Sequence, residues 1–251
     1  MVKIALLIEY EGTKYHGFQI QNGVPTVQGE LEQAILKVTG EAVRIRGAGR
    51  TDAGVHASGQ VAAFETESAL SPSTFVKAIN FYLPLDIAIK DACKVEANFD
   101  ARRHALSREY RYTIVNSPVV LPLSRRWAYC VSGKLNIEAM NKTCEALLGT
   151  HDFASFTNSE GCAKNTVRTV FGAELHRKDS FVVFDISAIG FLPQQVRRTV
   201  GCLIKIGLGE MGVEELDRMV ISARAGMAKP TAPPHGLCMM KVNYSNIGFG
   251  K

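Results

Sequence analysis

The stretch AVRIRGAGRTDAGVHASGQVAAFE, residues 42–65, contains two runs with strand character on either side of a glycine-rich turn. The runs AVRIRGAG and VHASGQVAAFE have the apolar pattern and β-branched content of strands. The connection RTDAG carries a single carboxylate, Asp52, two residues after Arg50. The stretch therefore predicts two consecutive strands with an accessible acid on the turn between them.

The sequence on each side of this strand pair predicts one helix and one strand. Upstream, VKIALLIEY has strand character, and Thr26 and Gly40 delimit a helix whose apolar residues share one face. Downstream, Ser71 caps a second helix with Pro72 in its first turn, and DIAIKDACKVE is typical of a strand. This order is the split βαβ pattern, which makes an antiparallel sheet with helices on one face.

The second half of the chain repeats the order. REYRYTIV predicts a strand, NIEAMNKTCEALLG a helix, and TVFGAELHR with FVVFDISAI a strand pair; PQQVRRTVGCLIKIGLG and VEELDRMVISARAG predict helices, and GLCMMKVNY a final strand. We therefore expect an α+β fold of two related halves whose antiparallel sheets lie side by side around a central cleft, with helices on the outer faces. The domain carrying the Asp52 loop is expected at residues 1–104, and the domain completing the cleft at 105–251.

Composition favours a soluble globular protein and leaves anionic partners open. Of 251 residues, 46% are hydrophobic, and no apolar run reaches the roughly 20 residues that span a bilayer, so we expect a cytoplasmic protein without a membrane role. The six scattered cysteines lack a C-x-x-C pair, which favours reduced thiols. A formal charge of +5, with the arginines in clusters, suits phosphate contacts.

The sequence contains none of the common nucleotide or metal motifs. P-loop, G-x-G-x-x-G and H-E-x-x-H patterns are absent. Asp52 and His56 are four residues apart, a spacing that converges on a metal only in a helix, which the surrounding glycines oppose. We expect neither a metal nor a small-molecule cofactor.

Two interpretations of Asp52 follow from the residues alone. A structural Asp52 would accept hydrogen bonds from the amides of its own turn, as aspartates in loops often do. A functional Asp52 would be kept accessible by its small neighbours and ionised by Arg50, while Arg44 and Arg46 present a basic face to a phosphate backbone. One acid is not the pair that a glycosidase needs, but it can serve as nucleophile or base on a sugar-linked base.

Five segments follow one another along almost the whole chain. The longest is GAGRTDAGVHASGQVAAF at residues 47–64; the others are YEGTKYHGFQIQ (10–21), SREYRYTI (107–114), GTHDFASF (149–156) and APPHGLCMMKVNY (232–244). Together and in this order they resemble the TruA family of tRNA pseudouridine synthases, and the longest is similar to the family signature throughout.

The resemblance implies a reaction for Asp52. In that family the acid of the GRTDAG motif is the catalytic aspartate, and Arg50 corresponds to the arginine that pairs with it and fills the gap left by the flipped base. The isomerisation breaks the bond between N1 of uracil and C1′ of the ribose and rejoins the ring through C5, so no group is gained or lost. The family mechanism therefore requires no cofactor.

The resemblance also implies roles for residues of the second half. Tyr110 resembles the tyrosine that stacks on the target uracil, although the pattern alone favours an aromatic in a strand core. Arg197 matches a helix arginine that reaches the aspartate, whereas the adjacent Arg198 is expected on a solvated face. Leu237 matches a leucine of the uracil pocket, and an ordinary core leucine is the alternative.

The implied partner is tRNA. The family acts on the anticodon stem-loop, usually at tRNA positions 38, 39 and 40, and its members are homodimers that read tRNA by shape. Candidate phosphate contacts are the cationic residues Lys14, Arg44, Arg46, Arg102, Arg103, Arg125, Arg126, Lys164 and Arg168.

Two other functions compete with this one. A non-catalytic RNA-binding module also has β-α-β-β units with basic faces, but it would be expected to carry an RNP-type run and has no need of Asp52. A hydrolase of a nucleoside bond needs delivered water and usually a second acid or a metal, for which the sequence has no pattern.

Overall fold

The first half of the chain forms a sheet with two helices in the computed structural model, which describes residues 1–158, 165–245 and 247–249. Strand β1 lies between β3 and β4 and is antiparallel to both, while the short β2 pairs with β3. The elements in chain order are β1 (Val2–Tyr10), α1 (Val27–Thr39), β2 (Arg46–Gly47), β3 (His56–Thr66), α2 (Pro72–Tyr82) and β4 (Ile87–Val95).

The core of this half lies between the sheet and its helices. Ile4 and Leu6 of β1 have no exposed surface, and Phe64 of β3 is the register partner of Ile4. The Phe64 ring meets Phe75 of α2 edge to face, with centroids 5.7 Å apart. This contact holds α2 against the sheet, because edge-to-face aromatic pairs add stabilisation beyond their buried area.

The predicted ends of both helices are confirmed. The Thr26 hydroxyl accepts a hydrogen bond from Gly29 N, and Gly40 ends α1 in the left-handed region at φ 74°. The Ser71 hydroxyl accepts one from Thr74 N, and Pro72 occupies the first turn of α2. These ends were predictable because a cap requires only neighbouring residues.

The predicted strand over AVRIRGAG is wrong for most of its length, because only Arg46 and Gly47 pair with β3. The backbone of the neighbouring Ile45 instead bonds to side chains of α1: its N–H donates to Glu32 Oε1, and its carbonyl accepts from Gln28 Nε2. Once side chains of α1 satisfy these groups, no neighbouring strand is needed for them.

The second half also forms an antiparallel sheet with helices. Its strand order is β5, β9, β8, β7, and β6 runs parallel to β5. The elements are β5 (Ser107–Asn116), β6 (Tyr129–Val131), α3 (Ile137–Cys144), β7 (Gly149–Asp152), β8 (Val167–Lys178), β9 (Phe181–Ala188), α4 (Gln195–Gly207), α5 (Val213–Ser222) and β10 (Leu237–Asn243).

The α+β class with mainly antiparallel pairing is confirmed, and the strand pair β8–β9 lies where the sequence predicts it. Two short strands were not predicted, β6 and β7. The helix predicted over NIEAMNKTCEALLG ends at Cys144 and continues only as a 3₁₀ turn, Glu145–Leu147. Strands of three or four residues give no periodic pattern, because their pairing depends on a distant partner.

The chain divides into two compact units. The first consists of Met1–Leu106 and Met239–Lys251, and the second of Ser107–Cys238. Strand β10 begins in the second unit and continues in the first. Local contacts account for this: Leu106 N donates to Asn243 O, and the Tyr244 ring packs on Phe99.

None of the helices in the described ranges combines the length and the apolarity that a membrane crossing requires. Within the same ranges, five cysteines are not in disulfides: Cys93, Cys130, Cys144, Cys202 and Cys238. The sixth cysteine, Cys162, lies outside the described residues.

We predict that Phe75→Ala destabilises the protein by about 3–5 kcal/mol, because it removes a fully buried ring and leaves a cavity. The measurement is the free energy of unfolding from denaturant titration. Phe81→Ala is the matched control, since Phe81 lies on the same helix with 81% of its surface exposed. Equal losses for the two variants would contradict this account of the core.

Candidate active site

Asp52 lies on a turn between β2 and β3 and is partly exposed, between the buried Thr51 and the exposed Ala53. The turn closes through a backbone hydrogen bond from Val55 N to Asp52 O, and Gly54 adopts φ 78°. A positive φ favours glycine, so GRTDAG has glycine where the turn needs it. The carboxylate therefore sits on a defined backbone with small side chains after it.

A second segment, residues 10–18, braces this turn; we call it the brace. Phe18 N donates to Thr51 O at 3.2 Å, and Gly54 N donates to Tyr15 O at 3.2 Å. The Tyr10 and Thr51 hydroxyls share a buried hydrogen bond of 2.8 Å. The brace therefore holds the residues on both sides of Asp52.

Two glycines allow the brace to approach this closely. A Cβ on Gly12 would lie 2.0 Å from Val55 O, and one on Gly17 would lie 2.5 Å from Thr51 O. Gly17 also has φ +90°, which other residues rarely adopt. The GTKYHG run thus brings two backbones into contact where a side chain would separate them.

His56, the first residue of β3, forms a hydrogen bond with the brace. Its ring is buried, and Nδ1 accepts a hydrogen bond from Gly12 N at 3.0 Å. This hydrogen bond joins the start of β3 to the brace. Among the described residues no group of three or more His, Cys, Asp or Glu side chains is arranged to hold a metal.

Tyr15 and Lys14 of the brace contact Asp86, which lies in the turn before β4. The buried phenol of Tyr15 donates to Asp86 Oδ1, and Lys14 Nζ lies 3.2 Å from Oδ2. Burial and this hydrogen bond raise the pKa of Tyr15. Burial alone would raise the pKa of Asp86, but the hydrogen bonds from Tyr15 and Lys14 lower it below its usual range. The pair therefore consists of a neutral phenol and an ionised carboxylate.

The predicted arginines of the first unit differ in their contacts. Arg50 is exposed. Arg44 pairs with Glu32 at 3.1 Å, which leaves its side chain 63% exposed. Arg46 is exposed. Burial alone would raise the pKa of Asp100, but the backbone hydrogen bonds from Arg103 and Arg102 and, to a smaller extent, the charges of Arg103 and Arg46 lower it. Arg44 and Arg46 both line a groove of about 540 Å³.

Tyr110, Arg197 and Leu237 lie in the second unit. Tyr110 is buried on β5, and its ring meets Phe191 edge to face at 5.2 Å. Arg197, in the first turn of α4, is partly exposed and donates from Nε to Ala232 O at 2.8 Å. Leu237 is buried at the start of β10.

The segment leading to Leu237 is held by Tyr112, the next inward residue of β5. Its fully buried hydroxyl donates to Pro233 O at 2.8 Å. A Cβ on Gly236 would lie 2.5 Å from the Tyr112 ring. The APPHGL motif therefore has a tyrosine beneath it, and its glycine provides the space for that ring.

The expectation of a solvated Arg198 is wrong. Only 8% of its surface is exposed, and it donates to Ala228 O at 2.9 Å and to Gln194 Oε1 at 3.2 Å. Carbonyl groups of the segment that packs on α4 need donors, and a buried guanidinium supplies several. Two adjacent arginines on a helix point in different directions. Their residue type alone does not show which of them faces the protein interior.

The remaining candidate phosphate contacts are spread over both units. Arg102, Arg103, Arg125 and Arg126 are exposed, and Arg168 donates to the carbonyls of its own loop. Lys164 lies outside the described residues.

Sequence reasoning missed Tyr15, Asp86 and Tyr112. Tyr15 belongs to the YEGTKYHGF segment, and its position between two glycines could have indicated a tyrosine that holds a close backbone contact in place. Asp86 stands in PLDIAIK without any motif, and Tyr112 looked like an ordinary strand residue. Their partners are 71 and 121 residues away in sequence, so spacing alone does not reveal them.

Comparison with known proteins relates candidate site residues of both units to one family. The family described as tRNA pseudouridine synthase matches residues 6–102 and 143–245. These ranges include Asp52, Arg50, Arg44 and Arg46 in the first unit and Arg197 and Leu237 in the second, whereas Tyr110 lies between the two ranges.

Individual relatives are similar over nearly their full length. The chain is 42% identical over 245 residues to "tRNA pseudouridine synthase A" of a Geobacter species, covering 97% of this chain and 99% of that protein. It is 43% identical over 244 residues to the protein of the same name from Acetivibrio thermocellus, covering 97% and 100%.

Among solved structures, the chain is similar to one titled "Crystal Structure of a Cbf5-Nop10-Gar1 Complex". The identity is 11% and the TM-score 0.35, with 80% of this chain and 54% of that chain covered, which is too distant to support a functional argument. The family match and the identities near 40% are sufficient by themselves. The chain belongs to the tRNA pseudouridine synthase family, whose members are isomerases that act on tRNA.

Proposed function

We propose that this protein converts uridine to pseudouridine in the anticodon stem-loop of tRNA, at positions 38, 39 and 40, with Asp52 as the catalytic acid residue. The observation that carries the proposal is the Asp52 turn: a partly exposed aspartate whose neighbours on both sides are held by backbone hydrogen bonds, within the family-matched range. The proposal includes a homodimer working in the cytoplasm, with tRNA as its partner.

The reaction requires a carboxylate close to C1′ of a nucleotide that has left the base stack. The N1–C1′ bond breaks, the uracil turns, and a C5–C1′ bond forms, after which the C5 proton is lost and N1 takes up a proton. Water at C1′ would release free uracil instead, so the pocket must exclude it. The hydrogen bonds from the brace to the turn support this role, because reacting groups must be held within about 0.5 Å of their productive geometry.

The other site residues have proposed roles around the nucleotide. Arg50, exposed two residues before the acid, occupies the space left by the flipped base and pairs with the carboxylate once substrate is bound. Arg197 reaches toward the same carboxylate from α4, where its Nε bond to Ala232 O orients the guanidinium. These roles assume that the two units enclose one cleft, as the sequence predicts.

The uracil itself would be recognised by Tyr110 and Leu237. The Tyr110 ring is held on edge by Phe191, so stacking on it would cost little further side-chain freedom. Leu237 follows the segment that Tyr112 supports and supplies an apolar wall. Stacking on an aromatic is worth roughly 1–3 kcal/mol, part of what unstacking a nucleotide costs.

We predict that Asp52→Asn abolishes pseudouridine formation on unmodified tRNA transcript and leaves tRNA affinity nearly unchanged. The amide is close in shape but cannot act as nucleophile or base, and loss of such a group costs at least about 10²-fold. Asp179→Asn is the matched control, because Asp179 also stands on a turn, is exposed, and has φ 54°, which asparagine tolerates.

Product is measured by nucleoside analysis and affinity by direct binding. Wild-type turnover by Asp52→Asn would refute its catalytic role. Free uracil as the wild-type product would indicate a hydrolase, and tRNA binding without any product would indicate an RNA-binding module. Mapping modified uridines on total tRNA tests positions 38, 39 and 40.

We predict that Tyr110→Ala lowers kcat/KM by about 5- to 150-fold, the equivalent of 1–3 kcal/mol of stacking. Tyr110→Phe keeps the ring and should retain the stacking contribution. Steady-state kinetics on tRNA transcript separates the two. An equal loss in both variants would show that the hydroxyl, and not the ring, is what matters.

We predict that Arg46→Gln weakens tRNA binding and lowers the slope of log affinity against log salt by about 1, since one phosphate contact is lost. Binding titrations at several salt concentrations give the slope. Lys77→Gln is the control, an exposed cation on α2 outside the groove that Arg46 lines. An unchanged slope for Arg46→Gln would exclude it as a phosphate contact.

A further inference from the structure

One residue outside the brace, Asp86, binds it through both the side chain and the backbone carbonyl. Asp86 side-chain oxygens accept from Tyr15 and from Lys14, and its backbone carbonyl accepts from Glu11 N at 2.9 Å. The Asp86 side chain is only 13% exposed, and Tyr15 is 6% exposed. A single residue before β4 therefore bonds to three residues of the brace, Glu11, Lys14 and Tyr15.

Tyr15 connects this anchor to the catalytic turn through one residue. Its side chain ends on Asp86, and its carbonyl accepts from Gly54 N, two residues after Asp52. Two residues further along, Gly17 is packed against Thr51 O with no room for a side chain. A shift of Tyr15 toward or away from Asp86 therefore carries the Asp52 turn with it.

The turn itself offers little resistance to such a shift. It lies between Gly49 and Gly54, and glycines allow a wide range of backbone angles. Its closing hydrogen bond, Val55 N to Asp52 O, fixes the turn internally but not its position relative to the sheet. Position must come from bonds to other segments, and the brace supplies them.

We propose that Tyr15 and Asp86 are positioning residues, whose hydrogen bond sets the place of the Asp52 carboxylate for the isomerisation. The inference rests on the proposed function of Asp52. Neither residue touches the substrate in this account; both act through the brace and Gly54. The perturbed pKa values of the two groups agree with a bond between an ionised acceptor and a neutral donor.

The test is Tyr15→Phe, which removes one hydroxyl and keeps the ring that fills the site. Because a displacement of about 1 Å costs up to roughly 10²-fold in rate, we expect kcat on tRNA transcript to fall by tenfold or more. KM and tRNA affinity should stay within about twofold. Tyr82→Phe is the matched control: Tyr82 is exposed on α2 of the same unit, and we expect wild-type kinetics.

A second variant distinguishes positioning from general destabilisation. Asp86→Asn keeps an acceptor for Tyr15 but loses the charge, so its kcat should lie between those of wild type and Tyr15→Phe. The double variant should be about as slow as Tyr15→Phe alone, because without the Tyr15 hydroxyl there is no hydrogen bond left for the Asp86 charge to strengthen. Assays are run far below each variant's melting temperature, with folding checked by circular dichroism.

Two outcomes would overturn the inference. The first is wild-type kcat in Tyr15→Phe, and the second is a double variant whose losses multiply, which would mean that the residues act separately. Wild-type protein without pseudouridine activity would instead refute the proposed function, so the two failures are distinguishable.

Discussion

The contact between the brace and the Asp52 turn is the constraint on which the rest of the candidate site depends. Two backbones meet there without intervening side chains, since Gly12 and Gly17 leave no space for a Cβ. Phe18 N and Tyr15 O bond to the two sides of the turn. Because backbone groups buried at such a contact must find partners, the two segments can pack only in a register that pairs them.

This arrangement places an acid on a glycine-rich turn without making the acid mobile. Glycines lower the stability of a local conformation, because the unfolded chain has more states to lose. Here the turn gains its order from segments distant in sequence: Tyr10 through the Thr51 hydroxyl, Gly12 through the His56 ring, and Asp86 through Tyr15. The catalytic role proposed for Asp52 needs that order, because a reacting group must be held in its productive geometry.

Prediction from sequence succeeded where the cause is local. The caps at Thr26 and Ser71 and the end at Gly40 depend on neighbouring residues, and the structure confirms them. It failed where a side chain from elsewhere supplies the partner. Residues before Arg46 were expected in a strand, but Glu32 and Gln28 of α1 bind the Ile45 backbone.

The candidate site shows the same division. Asp52 and Arg50 could be named because GRTDAG is a compact motif, and Tyr110, Arg197 and Leu237 because they belong to further segments with a family resemblance. Arg198 was misjudged, since only the tertiary packing of the segment around Ala228 brings carbonyl groups to it. Asp86 was missed because nothing adjacent in sequence marks it.

Residue types at short, fixed spacings were enough to indicate the family, the α+β class, both ends of α1, the start of α2 and Asp52 as the candidate catalytic residue. The tertiary structure alone decided what holds that acid in place. Asp86 and Tyr15 are 71 residues apart, Tyr10 and Thr51 are 41 apart, and Gly12 and His56 are 44 apart. No spacing rule connects such pairs, since only the folded sheet brings their backbones and side chains within hydrogen-bonding distance.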